Sequence, residues 1–116
     1  MKPRASFLPY ARRYYVARAL ANRIHHRKPH GQIVRFLFTD PAAHEVSVVG
    51  SFNDWNPGAT SLSHISHGRW MVRLSLRAGR YEYQFVVDGR WIHDRSATEL
   101  VENPFGGINS VVRVPV

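Results

Sequence analysis

From residue 32 onward, hydrophobic and polar positions alternate with a period of two, the spacing of a half-buried strand. Across Gln32 to Phe38, the residues Val34, Phe36 and Phe38 alternate with Ile33, Arg35 and Leu37, until Asp40-Pro41 stops the run. Glu45 to Val49 alternates again and leads into a polar loop, residues 50–58, that carries Trp55. Arg69 to Arg77 places Trp70, Val72, Leu74 and Leu76 on one side and Met71, Arg73, Ser75 and Arg77 on the other. After a turn at Ala78-Gly79, Tyr81, Tyr83, Phe85 and Val87 alternate with Glu82, Gln84 and Val86. A Val-rich strand spans Ser110 to Val116. About seven short strands with frequent turn signals predict an all-β, antiparallel two-sheet sandwich.

Asp88-Gly89 is a two-residue hairpin signal, and it fixes a register. With that loop, Val87 faces Arg90, Val86 faces Trp91 and Gln84 faces His93. Cross-strand partners share a sheet face. The apolar set Tyr81, Tyr83, Phe85 and Val87 therefore points inward. Gln84, Val86, Trp91 and His93 share the outer face, where an exposed indole beside an amide is expected. Trp70, aligned with Val72, Leu74 and Leu76, is expected in the core.

The first thirty residues follow another pattern. Neither proline nor glycine interrupts residues 10–27, which are rich in Ala and Arg, and this predicts a helical arm. Tyr10, Tyr14, Ala17, Leu20, Ala21 and Ile24 share one side at helical spacing, although Arg13 intrudes on it. The stretch from His25 to Gly31 reads as a linker. The chain thus divides into an arm over residues 1–30 and a β-sandwich module over 31–116.

Charge sharpens that division. The chain has 116 residues, 16 Lys and Arg against 8 Asp and Glu, and a formal net charge of +8. Taken whole, that excess suggests nucleic acid or an anionic surface. Eight basic residues and no acid lie within residues 1–30, however, so the remainder sums to zero (eight Arg, eight acids). Four roles compete for the arm: packing on the sandwich, docking a protein partner, lying on a membrane surface, or organelle targeting. Nothing in it resembles a base-reading motif, so nucleic acid is not expected as a partner. The absence of cysteine excludes disulfides and thiolate chemistry, and it fits a reducing compartment such as the cytoplasm. No apolar run approaches the ~18 residues of a membrane-spanning helix.

Trp55 and Trp91 are the candidates for binding chemistry. Aromatic faces pack on the C–H faces of pyranose rings, and amides both donate to and accept from sugar hydroxyls. The competing reading is that each indole covers the edge of the core or the basic arm. A catalytic role is not expected. Asp54, Asp88 and Asp94 lie near this surface, but Asp54 and Asp88 occupy turn positions that favour backbone bonding over a hydrolytic carboxylate pair. The seven histidines show no zinc-ligand spacing, so neither a metal nor another cofactor is expected.

The segment Val46-Ser47-Val48-Val49-Gly50-Ser51-Phe52-Asn53-Asp54-Trp55-Asn56-Pro57 resembles the signature of carbohydrate-binding module family 48. Gly68-Arg69-Trp70, the stretch from Gly79 to Asp94, and Asn103 to Val112 extend the likeness in order. It is greatest to the glycogen-binding modules of AMP-activated protein kinase β subunits and related starch-binding domains, and covers about residues 32–116. The resemblance implies an immunoglobulin-like, early-set sandwich. It implies non-catalytic binding of α-1,4-linked glucan, with Trp55 and Trp91 at the positions of the family's stacking tryptophans. Gln84 stands where a lysine is common, Phe105 where a leucine projects into the glucan, and Gly107 where a threonine bonds a hydroxyl. Asn109 matches the family's asparagine. The alternative is an adaptor that docks an enzyme or kinase of glycogen metabolism through the sandwich or the arm.

Overall fold

A computed structural model describes residues 31–116, and the expected arm helix lies outside them. Eight strands follow in order: β1 (Gln32–Thr39), β2 (Val46–Gly50), β3 (Ser63–Ser66), β4 (Arg69–Leu76), β5 (Gly79–Val87), β6 (Arg90–Ile92), β7 (Glu99–Glu102) and β8 (Ile108–Val114). One sheet has the order β1-β4-β3; the other has β2-β5-β8-β7, with β6 also paired to β5. Every pairing is antiparallel. The expected all-β sandwich is the fold observed. Two of its strands, β3 and β7, are additional to the periodic runs.

The inward faces interdigitate as the alternation requires. Phe36 packs edge-on to Tyr83 with ring centroids 5.0 Å apart, and Phe38 lies 5.1 Å from Phe85. Val46, Val48, Phe85 and Val87 are fully buried beside them, and Trp70 joins the same core. Burial raises the Tyr83 hydroxyl pKa, and a 2.6 Å bond donated to Asp94 raises it further. This phenol therefore stays protonated and fastens β5 to the segment after β6.

Asp88, at the hairpin tip, serves a structural purpose. Its carboxylate accepts the backbone N–H groups of His44 at 3.0 Å and Glu45 at 2.8 Å, and its own N–H donates to the Glu45 carbonyl. One turn thereby secures the neighbouring loop. Asp88→Ala should lower stability by about 1–2 kcal/mol, measured by urea unfolding. A change within the roughly 0.5 kcal/mol of an inert surface substitution would show that this clamp holds nothing.

The two ends of the sandwich meet: Gln32 Nε2 donates to the Pro115 carbonyl. Among the described residues, no helix is long and apolar enough to cross a membrane.

Candidate functional site

The hairpin register is the one the turn predicts, with Val86 opposite Trp91 and Val87 opposite Arg90. Strand β6 stops at Ile92, so the pairing of Gln84 with His93 is not formed. Gln84 has Val49 of β2 as its ladder partner instead. Val49, Gln84, Val86 and Trp91 thus lie on the outer face of the larger sheet, and Asn109 of β8 joins them through the Tyr83–Ser110 register.

Trp55 reaches this face from the loop after β2. Asn53 organises that loop. Its side-chain oxygen accepts the Gly50 N–H at 3.0 Å, and its amide nitrogen donates to the Val48 carbonyl at 2.9 Å and to Thr60 Oγ1 at 3.0 Å. Asp54 and Trp55 both take positive φ, 57° and 55°, which is uncommon for side-chain-bearing residues and least favourable for bulky ones. The Trp55 N–H donates back to the Gly50 carbonyl, closing the loop. The two indoles come to lie nearly parallel, 9° apart, with centroids separated by 6.4 Å.

One expectation is corrected. Trp55 and Trp91 were expected to be exposed, but they are 1 % and 5 % exposed. They form a second apolar cluster with Val49, and Val86 and Phe105 pack against it. Val49 and Val86 supply an apolar floor on which large rings bury area favourably. Phe105 is half-buried in a tight loop whose Asn103 side-chain oxygen accepts the N–H groups of Phe105 at 2.9 Å and Gly107 at 3.0 Å.

The polar half of the face is also covered. Gln84 is 3 % exposed and Asn109 is fully buried. Gln84 Nε2 donates to Asn109 Oδ1 at 2.8 Å, and Asn103 Nδ2 donates to the same oxygen at 3.2 Å. Asn109 Nδ2 donates to Glu82 Oε1 at 2.9 Å, and Glu82 Oε2 accepts from Arg80 at 2.8 Å. Glu82 was not singled out from the sequence, although its i, i+2 spacing from Gln84 places both on one face. A carboxylate can only accept, so Glu82 fixes which end of the Asn109 amide donates. All five expected residues, Trp55, Gln84, Trp91, Phe105 and Asn109, therefore converge on one face. Among the described residues no cluster of three or more His, Asp or Glu could hold a metal.

Comparisons with known proteins agree with this architecture. In solved structures, the fold is similar to that of a maltogenic amylase from S. marinus, with a TM-score of 0.59 and 23 % identity over 78 % of this chain and 15 % of that one. Among curated proteins, 70 residues are 37 % identical to 5'-AMP-activated protein kinase subunit beta-2 of Mus musculus, covering 60 % of this chain and 25 % of that protein. The same length is 36 % identical to subunit beta-1 of Sus scrofa, covering 54 % of it. The chain thus spans about a quarter to a half of these relatives. A family profile described as the glycogen recognition site of AMP-activated protein kinase matches residues 34–116. The chain belongs to that glycogen-recognition family.

Proposed function

We propose that this chain binds α-1,4-linked glucan, as glycogen, starch or malto-oligosaccharide, and performs no reaction on it. The observation that carries the reading is the near-parallel pair Trp55 and Trp91, set on the same sheet face as the amides of Gln84 and Asn109. The indoles supply flat apolar surface for the sugar rings. Gln84 and Asn109 orient hydroxyls, and Phe105 buttresses the chain. The carboxylates nearby support a non-catalytic reading, since Asp88 is bonded to backbone N–H groups and Asp94 to the Tyr83 hydroxyl and Ser96.

Because the ring faces and both amides are covered, uncovering them is part of the cost of binding. Affinity falls in proportion to the fraction of molecules that are open. A Kd on the order of 0.1–1 mM, or about 4–5.5 kcal/mol, is expected. Tryptophan fluorescence titrated with maltoheptaose should change saturably in that range, while Trp70, in the core, contributes a constant background. Cellohexaose, with β-linkages, should produce no comparable change. The reading fails if maltoheptaose gives no saturable signal or if the two sugars act alike.

A further inference from the structure

On the opposite side of the molecule, the outer face of the three-stranded sheet has an arrangement that glucan binding does not use. The β1–β4 register places Ile33 beside Ser75, Arg35 beside Arg73, Leu37 beside Met71, and Thr39 beside Arg69. Ile33 and Leu37 are 67 % and 44 % exposed, and Arg35, Arg69 and Arg73 are exposed as well. None of the three strands of this sheet contains an acidic residue. Among the described residues, none of these three arginines has an ion-pair partner.

Like charges directly across a ladder are destabilising. A lone arginine on an edge strand is a common guard against sheet-to-sheet aggregation. That explanation covers Arg35, on edge strand β1, but not Arg73, because β4 is the central strand of its sheet. The two arginines therefore occupy directly paired positions at a cost to the fold that edge protection does not explain. A carboxylate seated between them would relieve it. Along the strands, successive same-face rows are about 7 Å apart, and here basic and apolar rows alternate.

We infer that this face docks an acidic segment of another protein, one whose carboxylates and apolar side chains alternate at that same spacing. Its carboxylates bridge Arg35 with Arg73 and approach Arg69; its apolar groups cover Ile33, Leu37 and Met71. The inference does not depend on the glucan reading, since the two faces lie on different sheets.

The probe is a fluorescein-labelled peptide of repeated Leu-Thr-Glu-Thr units, which in extended form presents leucine and glutamate alternately on one side. Its anisotropy is followed with the full chain. Saturable binding is expected, and Arg73→Glu should weaken it at least tenfold. The same substitution converts a repulsive cross-strand pair into an attractive one, so Tm should rise by about 3 °C. Arg12→Glu/Arg13→Glu, in the basic arm, should change peptide affinity less than threefold. Glycogen co-sedimentation of Arg73→Glu should match the parent, which separates a failure here from a failure of the glucan reading. The inference is overturned by any of four results: no saturable peptide binding, equal binding by Arg73→Glu, a fall in its Tm, or a tenfold loss in the arm variant. It is likewise overturned if phosphatidylserine vesicles or a DNA duplex bind the parent tightly and lose that binding in Arg73→Glu while the peptide does not.

Discussion

Trp91→Ala is expected to reduce co-sedimentation with glycogen at least tenfold. The indole is nearly parallel to Trp55 and centred 6.4 Å from it, so its removal halves the proposed stacking surface and leaves the partner ring without its neighbour. Aromatic anchors at the centre of a binding patch commonly cost 2 kcal/mol or more when truncated, about thirtyfold in affinity. Trp91 is also buried, so truncation weakens the fold by about 3 kcal/mol. Gln84→Met separates the two effects. It keeps the side chain's bulk and deletes the amide, while Asn109 Oδ1 retains the donor from Asn103. Binding should weaken roughly fivefold, the loss of about one hydrogen bond, with far-UV circular dichroism unchanged. If folded Trp91→Ala co-sediments as the parent does, glucan binds elsewhere on the molecule.

A loss of stability of similar size is expected from Gly50→Ala. A Cβ at this position would lie 2.6 Å from the Glu82 carbonyl oxygen and 2.9 Å from Tyr83 Cβ, and neither atom is the end of a flexible side chain. The β2–β5 ladder must move apart to admit it. Overpacking of this kind costs about 2–3 kcal/mol, a fall in Tm of roughly 10–20 °C for a sandwich of this size. Gly50 also anchors the loop that carries Trp55: its carbonyl accepts the Asn53 and Trp55 N–H groups. Glucan binding should therefore fall together with stability. Gly58→Ala is the control in the same loop. Its added Cβ would meet only Asn56 Oδ1, at 3.5 Å, so its Tm should stay within about 2 °C of the parent. A Gly50→Ala protein that melts as Gly58→Ala does would show that the close approach is not maintained in solution.

Much of this architecture is legible in residue order, for reasons that differ by element. Strands β1, β4 and β5 each set one apolar face against one mixed face, so their sides follow from the period alone. The Asp88-Gly89 turn supplies a register across two strands, which is how Trp91 is assigned to the outer face. Strand β3 is Ser-His-Ile-Ser, exposed at every position, so no burial contrast marks it. Strand β7 carries glutamates at both ends and pairs only at an edge. Strand β2 shows alternation in sequence, yet all five of its residues are buried. Val49, on its outer side, packs with Trp55 and Trp91, which come from a loop and a later strand. The burial of the two indoles follows from the same non-local packing. It depends on where the Asn53-centred loop returns the chain, and two consecutive positive-φ residues cannot be read from Asp54-Trp55. Glu82 shows the intermediate case. Its side of the sheet follows from the alternation, but its partner Asn109 lies 27 positions later and is brought near only by the β5–β8 ladder.

The contact between Gln32 and Pro115 has a mechanical meaning. Gln32 opens β1 and Pro115 follows β8, so one side-chain bond ties the first strand of the smaller sheet to the last strand of the larger one. A load pulling Gln32 and Pro115 apart is borne first by that bond and then by the margins of β1 and β8.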